Sequence, residues 1–128
     1  MAQTTTINLI PDTAYPGPIG TAVTLVGEAK PAAAFYLARS NSQTVTWALN
    51  DSFVGDIKIQ ASLKTPLVNG TGISTAATIP DNEHWFEVYV VNTSDQYGFH
   101  NLEGSFVWIR AVVTNWTGGN IQVITVSY

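Results

Sequence analysis

Residues 57–64 alternate without a break: Ile57, Ile59, Ala61 and Leu63 fall on one side, Lys58, Gln60, Ser62 and Lys64 on the other. Successive side chains of a strand point to opposite faces, so this is a strand with one dry and one wet face. The same period of two recurs along the chain while helical periodicity is almost absent. Strands are expected at Thr6–Ile10, Thr21–Gly27, Ala34–Ala38, Thr44–Leu49, Trp85–Val91, Phe106–Thr114 and Ile121–Ser127, all rich in Val, Ile, Thr and aromatics. At Pro31-Ala32-Ala33-Ala34 a short helix competes, because Pro suits the first helical position and Ala propagates it; the alternation that follows favours a strand.

Turn-forming residues separate these segments, at Asn41-Ser42, Asn50-Asp51, Asn69-Gly70, Pro80-Asp81-Asn82 and Asn92 to Asp95. Thr117-Gly118-Gly119-Asn120 reads as a hairpin between two strong strands. Seven to eight antiparallel strands without helices predict an all-β, single-domain sandwich of jelly-roll-like form. Pro11, Pro16, Gly17 and Pro18 keep Pro11–Gly20 irregular and extended. Residues 1–20 therefore form a first strand and a Pro-rich arm, ahead of a sandwich domain over 21–128. The arm either reaches a neighbouring subunit or packs on its own domain. The stretch Thr65–Asn82 is long for a connection in a compact sandwich.

Composition narrows the function. With 128 residues there is room for one domain. Zero cysteines exclude disulfides, zinc-thiolate sites and thiol nucleophiles. A net charge of −4 and five basic residues, spread along the chain, exclude a nucleic-acid binder. No apolar run approaches the roughly 20 residues of a membrane-spanning helix, and the first residues lack the basic and apolar regions of a signal peptide, so synthesis in a cytoplasm is expected. Only 11% of residues are charged, against about 25% in ordinary domains. Thr, Ser, Asn and Gln must then cover the surface. Such a surface is weakly guarded against association: either β-rich chains simply favour these residues, or much of the surface meets neighbours.

Catalysis fits poorly. His84 and His100 belong to no nucleophile motif, and neither the serine-hydrolase elbow nor a phosphate-cradling glycine loop occurs. Glu83, Glu87 and Glu103 are the carboxylates available for a glycosidase pair. Asp81-Asn82-Glu83 offers oxygen ligands for calcium, but three consecutive residues cannot all point inward. No catalytic residue, metal site or cofactor is expected. The four Asn-x-Ser/Thr sequons, starting at Asn50, Asn69, Asn92 and Asn115, follow from a composition rich in these residues. Of the tryptophans, Trp47 and Trp108 lie inside expected strands and at least one belongs in a core. Trp116, beside the Gly-Gly turn, is either an exposed aromatic anchor or a cap on the end of the core.

The stretch Gly104-Ser105-Phe106-Val107-Trp108-Ile109-Arg110-Ala111-Val112-Val113-Thr114-Asn115, with Gly118-Gly119-Asn120-Ile121 and Val126-Ser127-Tyr128 after it, resembles small bacteriophage virion proteins. Val45-Thr46-Trp47, Gly55 to Leu63 and Trp85-Phe86-Glu87-Val88 resemble the same family's middle strands, so the likeness covers about Val45–Tyr128. It implies a non-enzymatic β-sandwich on a phage particle, most simply capsid decoration, or a part of the tail. It implies as partners other virion proteins, further copies of the chain as a homo-oligomer, and neither nucleic acid nor membrane. Arg110 stands at the family's Arg; on a strand it emerges with Trp108 and Val112, where Glu103, Glu87 or a partner subunit are its candidate counterparts. The interface candidates are Pro11, Tyr15, Pro16, Pro18, Tyr97, Phe99, Arg110 and Trp116. The rival reading is a carbohydrate-binding module, holding a host glycan on Trp85, Tyr89, Tyr97 or Trp116.

Overall fold

The computed structural model describes residues 6–18, 20–33, 42–63, 68–69, 72–73 and 85–128, and among them it is all-β. The strands are β1 (Thr6–Ile10), β2 (Val23–Val26), β3 (Lys30–Pro31), β4 (Ser42–Ser62), β5 (Val68–Asn69), β6 (Gly72–Ile73), β7 (Phe86–Val91), β8 (Tyr97–Glu103) and β9 (Trp108–Ser127). All pairings are antiparallel. The expected strand Ala34–Ala38, the turn Pro80–Asn82, Lys64, Glu83, His84 and most of Thr65–Asn82 lie outside the described residues. β5 and β6 are a small pair within that last stretch. Pro31 pairs with Trp108 in β3 and does not open a helix, and Ala32 and Ala33 lie in neither helix nor strand.

Two strands carry the architecture. β4 and β9 pair along their whole lengths, from Thr44↔Ser127 to Ser62↔Trp108. Their outer ends hold different neighbours: β1 and β8 flank the half containing Thr44–Ala48 and Val123–Ser127, whereas β2, β3 and β7 flank the half containing Asp56–Ser62 and Trp108–Thr114. The two halves face each other over one core, which joins Leu9, Val45, Trp47, Ile124 and Val126 to Ile57, Ile59, Ile109, Ala111 and Val113. This is a sandwich whose corners are made by strands that pass from one layer to the other.

The bend lies where the sequence reading placed turns. Register slips between Ala48 and Leu49, between Asn50 and Val54 and between Val54 and Asp56. Ser52, Asn115 and Gly119 adopt positive φ of 57°, 53° and 74°. The expected hairpin at Thr117–Asn120 is therefore corrected: the chain continues as β9, with Asn120 opposite Asn50 and Gly118 opposite Val54. The glycines supply the conformation a turn would need, and bulges spend it on a bend within a continuing ladder. A Cβ on Gly119 would lie 2.5 Å from the Phe53 nitrogen and closer still to its Cα. Gly119→Ala is expected to cost about 2–4 kcal/mol, combining a left-handed φ with an immovable backbone clash, read as a fall in Tm by circular dichroism.

Alternation explains the faces. Ile57, Ile59 and Ala61 are buried in the core, and Lys58 and Gln60 are on the outside. Ser62, expected on the wet face, is instead 0% exposed, its carbonyl accepting from the Val107 N–H at 3.0 Å. Leu63, expected on the dry face, is 57% exposed because the strand ends at Ser62. β1 is part of the sheet, with Leu9 and Ile10 each 2% exposed, so residues 6–10 contribute to the sandwich core.

Candidate functional site

The arm comes first among the interface candidates, and it folds back on its own domain. Thr13 and Ile121 exchange both backbone hydrogen bonds, at 2.9 and 3.0 Å. The Tyr15 amide donates to Asn120 Oδ1 at 3.0 Å, and its hydroxyl bonds the carbonyls of Pro18 and Thr21. Pro11, Pro16 and Pro18 are exposed along this short path. The arm is a clasp over the bend, so of the two alternatives it takes the one in which it packs on its own domain.

What the clasp covers is Trp116. Its ring lies 5.6 Å from Tyr15 and 5.9 Å from Phe53, Nε1 donates to the carbonyls of Gly118 and Gly119 at 3.1 Å each, and the residue is 0% exposed. Trp116 is a core cap and not an exposed anchor. Trp47 and Trp108 are both buried as well.

Arg110 emerges with Trp108 and Val112, on the face away from the core. Its counterparts are not carboxylates: Nε donates to Gln60 Oε1 at 2.9 Å, and the guanidinium lies 4.3 Å over the Trp85 ring. Partial burial lowers its pKa from the usual arginine range, by desolvation, yet a guanidinium stays charged in proteins. Glu87 instead pairs with Lys58 at 3.2 Å. Tyr89 stacks on His100 with centroids 3.9 Å apart, inside the edge between the layers. No group of three His, Asp or Glu among the described residues is placed to hold a metal ion.

Tyr97 and Phe99 remain, and they are 84% and 68% exposed. Both lie on β8, which the alternation of apolar residues does not reveal, because its inward positions are Gly98, His100 and Leu102. The reason is steric: a Cβ on Gly98 would meet the Trp47 ring at 2.6 Å. The aromatic pair thus lies on the outer face of β8, and of the inner positions Leu102 alone is a large apolar residue in the core. The signal available in the sequence is the period itself, Tyr97-Gly98-Phe99-His100-Asn101-Leu102-Glu103, read with the two faces exchanged.

The two rings border a face built by cross-strand rows. One row runs Thr6, Ser127, Thr44, Asn101, and its hydroxyls are tied by a Thr6–Ser127 bond of 3.0 Å and a Thr44–Asn101 bond of 2.7 Å. The next runs Asn8, Thr125, Thr46, Phe99, with Thr46 and Thr125 hydroxyls bonded to each other. A third sets Val123 and Ala48 beside Tyr97. None of these rows holds a charged residue; Glu103, opposite Ser42, stands just beyond the first as the one charge on this face among the described residues.

Two concavities lie elsewhere. A groove of ≈ 510 Å³ opens between β1 and β2, lined by Leu9, Ile10, Leu25 and Gly27 with the Glu28–Lys30 pair among its walls. A shallower one of ≈ 370 Å³ sits at the bend, among Asp56, Thr93, Ser94 and Asn115. Comparison of the chain with family models, with curated proteins and with solved structures found no match.

Proposed function

We propose that this chain is a non-enzymatic structural protein of a bacteriophage particle, a capsid decoration subunit that docks other virion proteins through the outer face of β1, β9, β4 and β8. The observation that carries the reading is the pair Tyr97 and Phe99, exposed side by side on a face with one charge among the described residues. Buried aromatic anchors in an uncharged surround give interfaces most of their energy, and an aromatic pair left in water is the free half of such a contact. Threonine hydroxyls and Asn amides around the rings supply hydrogen bonds without the desolvation cost of ions. The resemblance of Val45–Tyr128 to phage virion proteins points to the same partners, and repetition over a particle turns a modest contact into firm attachment.

The test is density-gradient fractionation of a lysate of the source, following this chain by mass spectrometry. Co-sedimentation with intact particles is expected; recovery only among small soluble proteins overturns the reading. A Tyr97→Ser/Phe99→Ser variant should melt within a few degrees of the parent and yet bind particles at least tenfold more weakly, since each lost hot-spot ring costs about 1–2 kcal/mol or more. Undiminished binding removes this face from the role.

A glycan-stacking role is the second reading, favoured by ring spacing: residues two apart on one strand place Tyr97 and Phe99 about 7 Å apart. Of the four rings expected for it, Tyr97 alone is openly presented. Trp116 is in the core, Tyr89 is stacked on His100, and Trp85 lies under Arg110.

A further inference from the structure

Every edge strand invites another strand, and native sheets blunt their edges with charge, proline, bulges or brevity. Among the described residues the edges of the large sheet are blunted, with one exception. β1 slips register between Asn8 and Ile10 and is followed by Pro11. β2 has four residues and a slip between Val23 and Leu25. β3 is two residues long and consists of Lys30 and Pro31. β7 has a slip, and Glu87 on it pairs with Lys58. By contrast, β8 runs seven residues against β4, from Ser42↔Glu103 to Ala48↔Tyr97, without a slip. It contains no Lys, Arg or Pro, and among the described residues β4 is its one neighbour.

The direction of its free groups follows from two bonds. Leu49 N–H donates to the Gln96 carbonyl at 2.7 Å, and Gln43 Nε2 donates to the Leu102 carbonyl at 3.1 Å. Backbone groups alternate along a strand, so Gly98, His100 and Leu102 turn theirs toward β4. Tyr97, Phe99, Asn101 and Glu103 turn their N–H and C=O groups away from it.

We propose that two copies of this chain join edge to edge along β8, antiparallel about a two-fold axis at His100. The proposal rests on reading the outer face as an assembly surface and names the first partner on it, a second copy. This axis alone pairs all seven residues of β8 with their counterparts, and it matches every outward N–H and C=O with one from the other copy. It sets the Tyr97 hydroxyl beside the Glu103 carboxylate of the second copy, a donor facing a charged acceptor, twice over. Phe99 falls opposite Asn101 and diagonal to the second Phe99, within reach of an aromatic contact. No like charges meet on the outer face, and the two faces, each with Glu103 as its one charge among the described residues, become one continuous surface. An isologous contact of this kind closes on itself and does not propagate into fibres.

The register can be trapped. The chain has no cysteine, so His100→Cys introduces one thiol that meets itself on the axis, at the Cα separation of about 4.5 Å typical of a non-hydrogen-bonded pair, which a disulfide spans. Asn101→Cys sits two residues out of register with itself, about 8 Å away, too far for a bridge. Mild oxidation of the full chain should convert most of His100→Cys, and little of Asn101→Cys, to a covalent dimer on a non-reducing gel. The parent chain should run as a dimer in light scattering at tens of micromolar. Phe99→Pro should run as a monomer with a parent-like β spectrum, because the N–H it removes points away from β4. A monomeric parent overturns the proposal, as does a dimeric Phe99→Pro or preferential cross-linking of Asn101→Cys. A monomer that still sediments with particles would sink the dimer and leave the structural role standing; a dimer absent from particles would do the reverse.

Discussion

Removing residues 1–20 is expected to unfold the protein. On the sequence reading, the deletion strips an arm from a self-sufficient sandwich over 21–128. In the structure it takes away β1, whose Leu9 and Ile10 are each 2% exposed in the core, together with the Thr13–Ile121 bridge and the Tyr15 ring over Trp116. Emptying two fully buried aliphatic positions costs about 2–5 kcal/mol each, and the total stability of a domain is about 5–15 kcal/mol. The loss also bares the C-terminal half of β9 along the edge that β1 covers. The truncated chain should show no cooperative thermal transition by circular dichroism. A sharp transition within a few degrees of the full chain would show that the sandwich does not depend on β1.

Trp116→Ala is expected to cost about 3–5 kcal/mol, the range for emptying a large aromatic site, equal to a fall in Tm of roughly 10 °C or more in a domain of this size. The indole fills the space between Tyr15, Phe53 and the bend, and its N–H satisfies the carbonyls of Gly118 and Gly119. The substitution thus opens a cavity and leaves two half-sheltered acceptors without their donor. Trp116→Phe, which keeps most of the ring volume and loses the N–H, should fall between the two. If Trp116→Ala melts with the parent chain, the core does not extend through the bend. Full retention of particle binding by a folded Trp116→Phe chain is also expected, since the ring takes no part in the exposed face.

Much of this fold was legible because burial imposes period two. The Ile57–Ala61 alternation identified the inner face residue by residue, and the match of Thr6–Ile10 to β1 was complete. Two features were not legible, each for a physical reason. Asn50, Asp51, Gly118 and Gly119 have the same local preferences in a bend as in a reversal, and whether the ladder continues past them is decided by pairing partners far away in the chain. That long-range information hid the continuity of β4 and β9, and it placed Trp116 inside where its neighbours in sequence suggested a surface turn. β8 was missed because the Trp47 ring occupies the space where an inward side chain at position 98 would go. The exposed pair was nonetheless singled out from the sequence, since Tyr97 and Phe99 stood among the interface candidates. Arg110 was placed on the correct face, but its partners are an amide and an indole, where charge alone suggested carboxylates.

The arrangement of β9 has a further consequence for how the molecule comes into being. β1, β2 and β3 all take their hydrogen bonds from β9, which is translated after every strand it holds. During synthesis these segments have no sheet to join, and β4 is without the partner that spans its whole length. Closure of such distant contacts is slow, because loop entropy is lost before any contact compensates it. Before β9 emerges only β7 and β8 of the large sheet have a partner, in β4, so β1, β2 and β3 wait unpaired and the closing of the two layers over one core becomes a late event that requires β9.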